Sequence, residues 1–164
     1  MYTTDNEELE MTVFPLLKER NLTFASAESC TGGMLAEQMT EIPGVSDVFL
    51  MSAVTYANEA KKRVLGVKAE TLAAYTAVSA AVAEEMAEGL QRISNADVCV
   101  SITGLAGPGG GSEEIPVGTV YIGVKCCGKL TVSEHHFTNG NRNRVRTLSV
   151  IYALDRVRRA ILGI

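Results

Sequence analysis

Apolar residues recur along this chain in two patterns, at every third or fourth position in some segments and in short unbroken runs in others. The first pattern is typical of amphipathic helices and the second of buried strands. Helices are predicted over residues 6–20, 31–40, 58–65, 79–93 and 142–162. Strands are predicted over residues 22–27, 48–56, 97–103, 117–124 and 130–136. Because helices and strands alternate, the chain is expected to form an α/β sandwich.

Local signals refine several of these elements. Ser79 is a favourable N-cap for the fourth helix, and Gly128 marks the turn between the last two strands. Pro15 lies inside the first helical pattern, so that helix is expected to be kinked there or to begin late. The residues expected to face the core are Val82, Met86, Leu90 and Ile93 in the fourth helix and Val145, Leu148, Tyr152 and Ile161 in the last.

The composition is that of a globular protein with a real core. The 164 residues are 46% hydrophobic and 21% charged, which predicts one domain over residues 1–164. A net charge of −4 and a pI of about 5.2 argue against a general nucleic-acid binder, which usually carries a basic surface.

Targeting signals and cysteine spacing bear on where the protein is located and on whether it holds disulfides or a metal. The N-terminal residues lack a basic start followed by an apolar run, and no stretch approaches the ~20 apolar residues of a membrane helix. A cytoplasmic protein without a membrane partner is therefore predicted. The cysteines, none of them in a CxxC pair, predict neither a disulfide framework nor a metal site. They are Cys30, Cys99, Cys126 and Cys127.

The first segment with chemical potential, residues 27–33 (AESCTGG), joins a strand to a helix. Backbone N–H groups at a helix start lack internal partners and carry positive dipole character. A hydroxyl placed there can attack a carbonyl carbon while those amides stabilise the oxyanion. Ser29 is therefore a candidate nucleophile, and Cys30 is a rival with no visible partner to lower its pKa. The alternative is a plain turn in which Ser29 or Thr31 caps the helix.

Lys61 and Lys62 follow the next buried strand. Most lysines are solvent-exposed charges. Burial, however, can lower the lysine pKa of ~10.4 by several units, and a neutral lysine can act as a general base towards a serine. The local sequence leaves both possibilities open for these two residues.

A glycine-rich loop over residues 104–112 and a cluster of arginines are the candidates for binding an anion. Such a loop can form a nest of N–H groups for phosphate, although it lacks the P-loop pattern and a flexible loop is an equal alternative. Six of the nine arginines fall in the last helix. Arg142 and Arg146 share a face there and could clamp a phosphate, whereas Arg156, Arg158 and Arg159 are expected to be solvated.

The two histidines, His135 and His136, are neighbours on a strand and point to opposite faces, so no role is assigned to them. A Ser-His-Asp triad is therefore not expected.

Taken together, AESCTGG, TYANEAKKRVLGV, SITGLAGPGGGSEEIPVGTVYIGV and GNRNRVR resemble the C-terminal domain of CinA, in that family's order and spacing. The likeness runs from about residue 6 to residue 160. It implies a three-layer α/β/α sandwich with a mixed, mostly parallel sheet, and association into a homo-oligomer. It also implies deamidation of nicotinamide mononucleotide to nicotinate mononucleotide and ammonia by a serine–lysine hydrolase that needs no metal or other cofactor.

By this resemblance Ser29 is the nucleophile, Lys61 the base and Tyr56 a supporting group, with Lys62 the weaker candidate because it lies just outside the NEAK motif. Ala57 stands where the family commonly has serine, a change that removes no proposed catalytic group. The residues expected to bind the small nucleotide substrate are Cys30, Thr31, Gly32, Gly33, Thr103, Gly104, Gly107, Gly109, Gly110, Arg142 and Arg146.

Two other functions use the same residues. A nucleotide-binding module without chemistry would keep the glycine loop and the arginines but leave Ser29 as a helix cap. An interaction domain acting with DNA-uptake or repair proteins would fit the family's competence-related name, although the acidic pI weakens the case for direct contact with nucleic acid.

Overall fold

The computed structural model describes residues 9–138 and 141–164, so residues 6–8 of the first predicted helix lie outside the described residues. The described helices are α1 (Leu9–Glu19), α2 (Met34–Thr40), α3 (Asn58–Ala60), α4 (Ala69–Tyr75), α5 (Ala80–Ser94) and α6 (Arg142–Leu162). The strands are β1 (Phe24–Glu28), β2 (Phe49–Val54), β3 (Val98–Gly104), β4 (Thr119–Cys126) and β5 (Lys129–His136). A 3₁₀ turn, Val45–Asp47, precedes β2, and a π-helical turn, Lys61–Leu65, continues α3.

The five strands form one mixed sheet in the order β2-β1-β3-β4-β5. Strand β1 pairs in parallel with both β2 and β3, whereas β4 runs antiparallel to β3 and to β5. Four strands therefore share one direction and β4 opposes them. Helices cover both faces, which confirms the predicted α/β fold with a mixed sheet.

The two faces of the sheet pack differently. Helices α1, α2 and α6 cover one face through large side chains, such as Leu17, Leu35 and Leu154, against Phe24 and Ile102. Helix α5 and the π turn cover the other through residues such as Met86 and Leu65. On that second face the strands present small residues, which allow the helix to approach closely.

Close approach on the second face is visible at Gly123 of β4. A Cβ at this position would lie 2.9 Å from the Ala83 carbonyl oxygen of α5. Ser101 of β3 donates its hydroxyl to the same oxygen at 2.6 Å. Helix α5 is thus fixed against the centre of the sheet by a buried hydrogen bond as well as by apolar contact.

Most predicted elements are confirmed. The helix predicted over residues 58–65 consists of α3 continued by the π turn, and there are three further differences. Ile93, expected in the buried stripe of α5, is 43% exposed, although it lies on the same face of the helix as the buried Met86 and Leu90, one residue before the helix ends. Helix α1 continues through Pro15 rather than beginning after it, and Pro15 lies on an exposed position. Helix α4 was not predicted, and its seven residues include none that are buried, so they give no clear apolar stripe.

The parallel strands explain why the chemically interesting segments meet. Ser29 follows β1, Thr55 follows β2 and Leu105 follows β3. Since parallel neighbours end at the same edge of a sheet, these three connections lie side by side, which is the usual place for ligands in open α/β sheets.

We expect Gly89→Ala to destabilise the protein by about 1–3 kcal/mol, as overpacking does, although alanine favours helices by about 1 kcal/mol. A Cβ at Gly89 would overlap the Leu65 backbone where α5 meets the π turn. Urea unfolding measures the effect, with Glu84→Ala on the exposed side of α5 as the control. A Gly89→Ala variant as stable as wild type would show that the two helical segments are not in close contact.

Candidate active site

A cavity of about 220 Å³ opens at the carboxyl ends of β1, β2 and β3. It collects seven of the residues predicted for the site, together with four that were not predicted. The predicted ones are Ser29, Cys30, Tyr56, Lys61, Thr103, Gly104 and Arg142, and the others are Ala77, Val78, Leu105 and Ala106. Segments that are far apart in the sequence therefore enclose one space.

Ser29 and Lys61 form a buried pair in this cavity. The Lys61 Nζ lies 2.9 Å from the Ser29 Oγ. Lys61 is only 1% exposed and Ser29 only 8% exposed. This is the contact distance that proton transfer between a serine hydroxyl and a lysine amine requires.

Two backbone carbonyls orient the Lys61 amine. Its Nζ donates to Thr55 O at 2.8 Å and to Tyr56 O at 3.3 Å. Carbonyl oxygens can only accept, so both contacts require N–H bonds of the amine. The remaining position on nitrogen faces Ser29 Oγ. In the protonated amine this position holds a third N–H, and in the neutral amine it holds the lone pair that can accept the serine proton.

Burial also favours the neutral amine. Removing Lys61 from water lowers its pKa, because the charged form loses hydration that two carbonyl oxygens do not fully replace. The described neighbours of the Nζ supply no carboxylate that would stabilise the cation, and the partners are a hydroxyl and two carbonyls. Orientation and desolvation thus act in the same direction.

The π turn places Lys61 at the base of the cavity. Lys61 N–H donates to Ala57 O, and Val67 N–H donates to Lys61 O. Arg92 of α5 donates to Leu65 O at 2.9 Å at the end of this turn. Such π turns are rare and occur often at functional sites. The adjacent Lys62 instead points outward, with its Nζ 2.6 Å from the Glu59 carboxylate, so the geometry favours Lys61 of the two lysines left open by the sequence.

Ser29 is held by the turn between β1 and α2. Its N–H donates to Ile102 O and its carbonyl accepts from Gly32 N. Gly32 and Gly33 have φ of 63° and 100°, a left-handed conformation that favours glycine. The two glycines of the AESCTGG segment are therefore needed to reverse the chain directly after the serine.

The Glu28 carboxylate completes this turn, and the sequence analysis assigned it no role. It is fully buried and accepts from the N–H groups of Gly33, Leu35 and Ala36 at 3.0, 3.2 and 2.9 Å. A carboxylate at the start of a helix is favourable both for the hydrogen bonds and for the helix dipole. The signal available in the sequence was an acidic residue five positions before the N-cap residue Gly33, outside the usual capping position.

The interpretation of Ser29 or Thr31 as a helix cap is wrong. Gly33 is the N-cap residue of α2, and no side chain caps the helix from that position, because the Glu28 carboxylate takes the amides instead. The Thr31 hydroxyl is buried and has no hydrogen-bond partner among the described residues. For Cys30, burial raises the pKa of the thiol to about 11, which keeps the rival nucleophile protonated near neutral pH.

Arg142 lies at the rim of the cavity and bridges two of its walls. It donates from Nη2 to the Tyr56 hydroxyl at 2.6 Å and from Nη1 to Gly107 O at 2.7 Å. Tyr56 is 57% exposed, so both side chains are accessible from solvent. The bridge brings together the residues following β2, the glycine-rich loop and the start of α6.

Not all predicted binding residues face the cavity. Its lining does not include Thr31, Gly32, Gly33, Gly107, Gly109, Gly110 or Arg146. The N–H groups of Gly32 and Gly33 are used inside the protein, as is the Arg146 guanidinium, which donates to Thr31 O at 2.8 Å. A Cβ at Gly109 would meet no atom within 4 Å, so this part of the loop lies open. Thr103 lines the cavity but donates its hydroxyl to Ala77 O.

Comparison with known families identifies this arrangement. The family profile described as the CinA C-terminal domain matches residues 6–161, nearly the whole chain. The chain belongs to this family. The resemblance drawn from the sequence motifs is thereby confirmed.

Relatives of this CinA-family chain are similar along its full length. A protein from Caldanaerobacter subterraneus subsp. tengcongensis, named for competence-damage induction, is 50% identical over 163 residues, or 99% of this chain and 39% of that protein. A CinA-like protein from Thermotoga maritima is 45% identical over 163 residues, or 99% of this chain and 40% of that protein. The chain spans about two fifths of the length of these curated relatives.

Solved structures confirm the CinA fold. The competence/damage inducible protein CihA from Agrobacterium tumefaciens superposes with a TM-score of 0.92 at 39% identity, covering 98% of both chains. A CinA superfamily protein from Escherichia coli superposes with a TM-score of 0.90 at 34% identity, covering 96% of this chain and 93% of the other.

Two further observations concern the described part of this CinA-family chain. Within residues 9–138 and 141–164, no three histidine, cysteine or acidic side chains are grouped so that they could hold a metal ion. No helix in those residues is both long enough and apolar enough to cross a membrane.

We expect Glu28→Gln to lower the free energy of unfolding by about 1–3 kcal/mol, since the amide retains only one oxygen for three N–H groups and directs its own N–H bonds at them. Thermal or urea unfolding measures the loss. Glu41→Gln, at the exposed end of α2, is the control and should remain within about 0.5 kcal/mol of wild type. Equal stability of the two variants would contradict the role given to Glu28.

Proposed function

We propose that this CinA-family chain hydrolyses the carboxamide of nicotinamide mononucleotide to nicotinate mononucleotide and ammonia. The observation that carries the proposal is the buried contact between Lys61 Nζ and Ser29 Oγ in a cavity at the sheet edge. A serine paired with a desolvated lysine is an activated nucleophile of the kind used in covalent amide hydrolysis. A binding module would need neither the buried lysine nor its orientation.

In the first half of the proposed reaction, the Ser29 Oγ attacks the carboxamide carbon and its proton passes to the neutral Lys61 amine. The tetrahedral intermediate collapses by breaking the C–N bond. Lys61 returns the proton to the leaving nitrogen, which departs as ammonia, and an ester to Ser29 remains. The two carbonyls that hold the Lys61 N–H bonds keep the third position on its nitrogen directed at the serine, where it holds the lone pair before proton transfer and the transferred proton afterwards.

In the second half, water attacks the ester with Lys61 again as the base, and Ser29 leaves with the proton. One water is consumed and one ammonia is released, so the atoms balance. For the oxyanion we propose the amides of Cys30 and Thr31. Those of Gly32 and Gly33 already donate to Ser29 O and to Glu28.

The substrate is placed by its two ends in this proposal. The 220 Å³ cavity is smaller than the range of about 300–1,000 Å³ typical of pockets that enclose a whole ligand. The carboxamide and its ring therefore enter, and the ribose phosphate stays at the rim. Arg142 is exposed there, and two of the five N–H donors of its guanidinium contact Gly107 O and the Tyr56 hydroxyl. With its remaining donors it is the proposed phosphate contact, with Tyr56 beside it. Binding at the phosphate end then positions the carboxamide.

The relatives' names refer to competence and DNA damage, and they describe longer proteins than the part matched here. The proposal therefore concerns the chemistry of this domain, acting without cofactor in the cytoplasm, and not the functions of those whole proteins.

The first test measures ammonia release from nicotinamide mononucleotide by the purified chain. We expect Ser29→Ala to abolish release, because Ser29 Oγ is the hydroxyl that contacts Lys61 Nζ among the described residues. We expect Lys61→Met to reduce kcat by about 10²–10⁴-fold through loss of the base. Lys62→Met is the matched control. It removes only the exposed pair with Glu59 and should keep near-wild-type rates.

No ammonia from well-folded wild-type protein would refute the proposed reaction. Wild-type rates in Ser29→Ala, or equal losses in the two lysine variants, would refute the assigned residues while leaving the reaction intact.

A second test uses pH. The base must be neutral, and burial lowers the pKa of Lys61, so kcat/KM should rise with pH and level off below the free-lysine pKa of ~10.4. Below the lowered pKa the amine is protonated and cannot accept the serine proton. The rising limb should disappear from the residual activity of Lys61→Met. A limb that persists in this variant would show that another group titrates.

A further inference from the structure

Arg146 is half-buried and lies outside the lining of the cavity, although its spacing from Arg142 predicts a shared anion clamp. The two arginines project from the same helix, but only Arg142 lines the cavity. The Arg146 Nη2 donates to Thr31 O at 2.8 Å, across 115 residues of sequence. The acceptor, Thr31, is fully buried.

The Thr31 carbonyl belongs to the turn that carries Ser29. This oxygen also accepts from Met34 N–H at 3.3 Å, so its two lone pairs are both used. Arg146 is packed over the turn as well, since a Cβ on Gly32 would lie 3.7 Å from its Nη2. The guanidinium thus fixes the direction of the Thr31 carbonyl and packs over Gly32, whose backbone is in the left-handed conformation.

The turn is held from two sides. Glu28 binds the amides on the α2 side, and Arg146 binds the carbonyl on the α6 side. Between these two contacts lie Ser29, with its Oγ facing Lys61, and the amides of Cys30 and Thr31. The Thr31 carbonyl lies in the same peptide plane as the Gly32 N–H, which donates to Ser29 O. Rotation of this peptide would therefore break a hydrogen bond to the Ser29 backbone, and a shift of the turn would lengthen the contact between Ser29 and Lys61.

We propose that Arg146 is a positioning residue that holds the nucleophile turn in its reactive geometry, and that it does not bind the substrate's phosphate. The inference rests on the proposed serine–lysine reaction. The sequence analysis gives Arg142 and Arg146 the same expected role. In this inference Arg142 contributes to substrate binding, whereas Arg146 contributes to the chemical step through the Thr31 carbonyl.

The test compares Arg146→Met with Arg142→Met and with the control Arg144→Met, an exposed residue on the same helix. For Arg146→Met we expect kcat to fall about 10–100-fold with KM within about twofold, since small misplacements of reacting groups are costly. Arg142→Met should mainly raise KM, and Arg144→Met should match wild type. An Arg146→Met variant with raised KM and unchanged kcat would overturn the inference.

Substrate truncation and chemical rescue give readouts that a general loss of stability would not. Nicotinamide riboside lacks the phosphate, so Arg146→Met should lose the same factor with it as with the nucleotide. Free guanidinium ion, at concentrations that leave the protein folded, should partly restore kcat of Arg146→Ala and not that of Arg142→Ala. Loss restricted to the phosphorylated substrate, or no rescue, would count against positioning.

A serine-directed fluorophosphonate probe keeps the inference separate from the proposed substrate. The probe reacts with an activated serine, so the rate of Ser29 labelling should fall in Arg146→Met and not in Arg144→Met. If wild-type protein is labelled but releases no ammonia, the proposed function fails and the inference stands. If labelling is equal in all variants, or absent in wild type, the inference fails. If Arg146→Met does not fold, the same comparisons are made with Arg146→Lys, in which a compact ammonium group replaces the planar guanidinium.

Discussion

The candidate active site depends on one buried lysine, Lys61, whose nitrogen is surrounded in the described structure by hydrogen-bond acceptors rather than by a counter-ion. Thr55 O and Tyr56 O take two N–H bonds, and Ser29 Oγ occupies the remaining direction. A cation in this place loses hydration that neutral oxygens only partly replace, so the site favours the amine. The surrounding fold makes this arrangement possible. The parallel strands bring together the connections that follow β1, β2 and β3, and the π turn, packed against α5, positions Lys61.

Strong local patterns made much of the fold predictable. The last helix and the hairpin before it are confirmed at nearly their predicted bounds, because long amphipathic periodicity and a glycine turn are local signals. Ser79 is confirmed as the N-cap of α5, accepting from Val82 N–H. Helix α4 was not predicted because it buries no residue and so has no apolar stripe. The π turn was not predicted because one extra residue in a helical turn does not change the amino-acid composition in a recognisable way.

The sequence predicted which residues lie at the candidate site better than it predicted the role of each of them. Motifs pointed to Ser29, Lys61, Tyr56 and Arg142, all of which line one cavity. Spacing alone could not distinguish Arg142 from Arg146, because two residues one turn apart on the same helix face can contact different partners. Glu28 received no role because its three hydrogen bonds are made to backbone amides five to eight residues further on, at the start of α2. The usual capping patterns do not include this spacing, and only the folded turn reveals it.

The order of synthesis gives the contact between Arg146 and Thr31 a further meaning. The serine and the lysine are separated by 32 residues, whereas the arginine lies 115 residues beyond the threonine and 18 residues from the end of the described chain. A growing chain therefore emerges from the ribosome with Ser29 and Lys61 long before Arg146. If these residues act as proposed, the nascent chain holds its serine and lysine without the contact to the Thr31 carbonyl until α6 has been made and has docked.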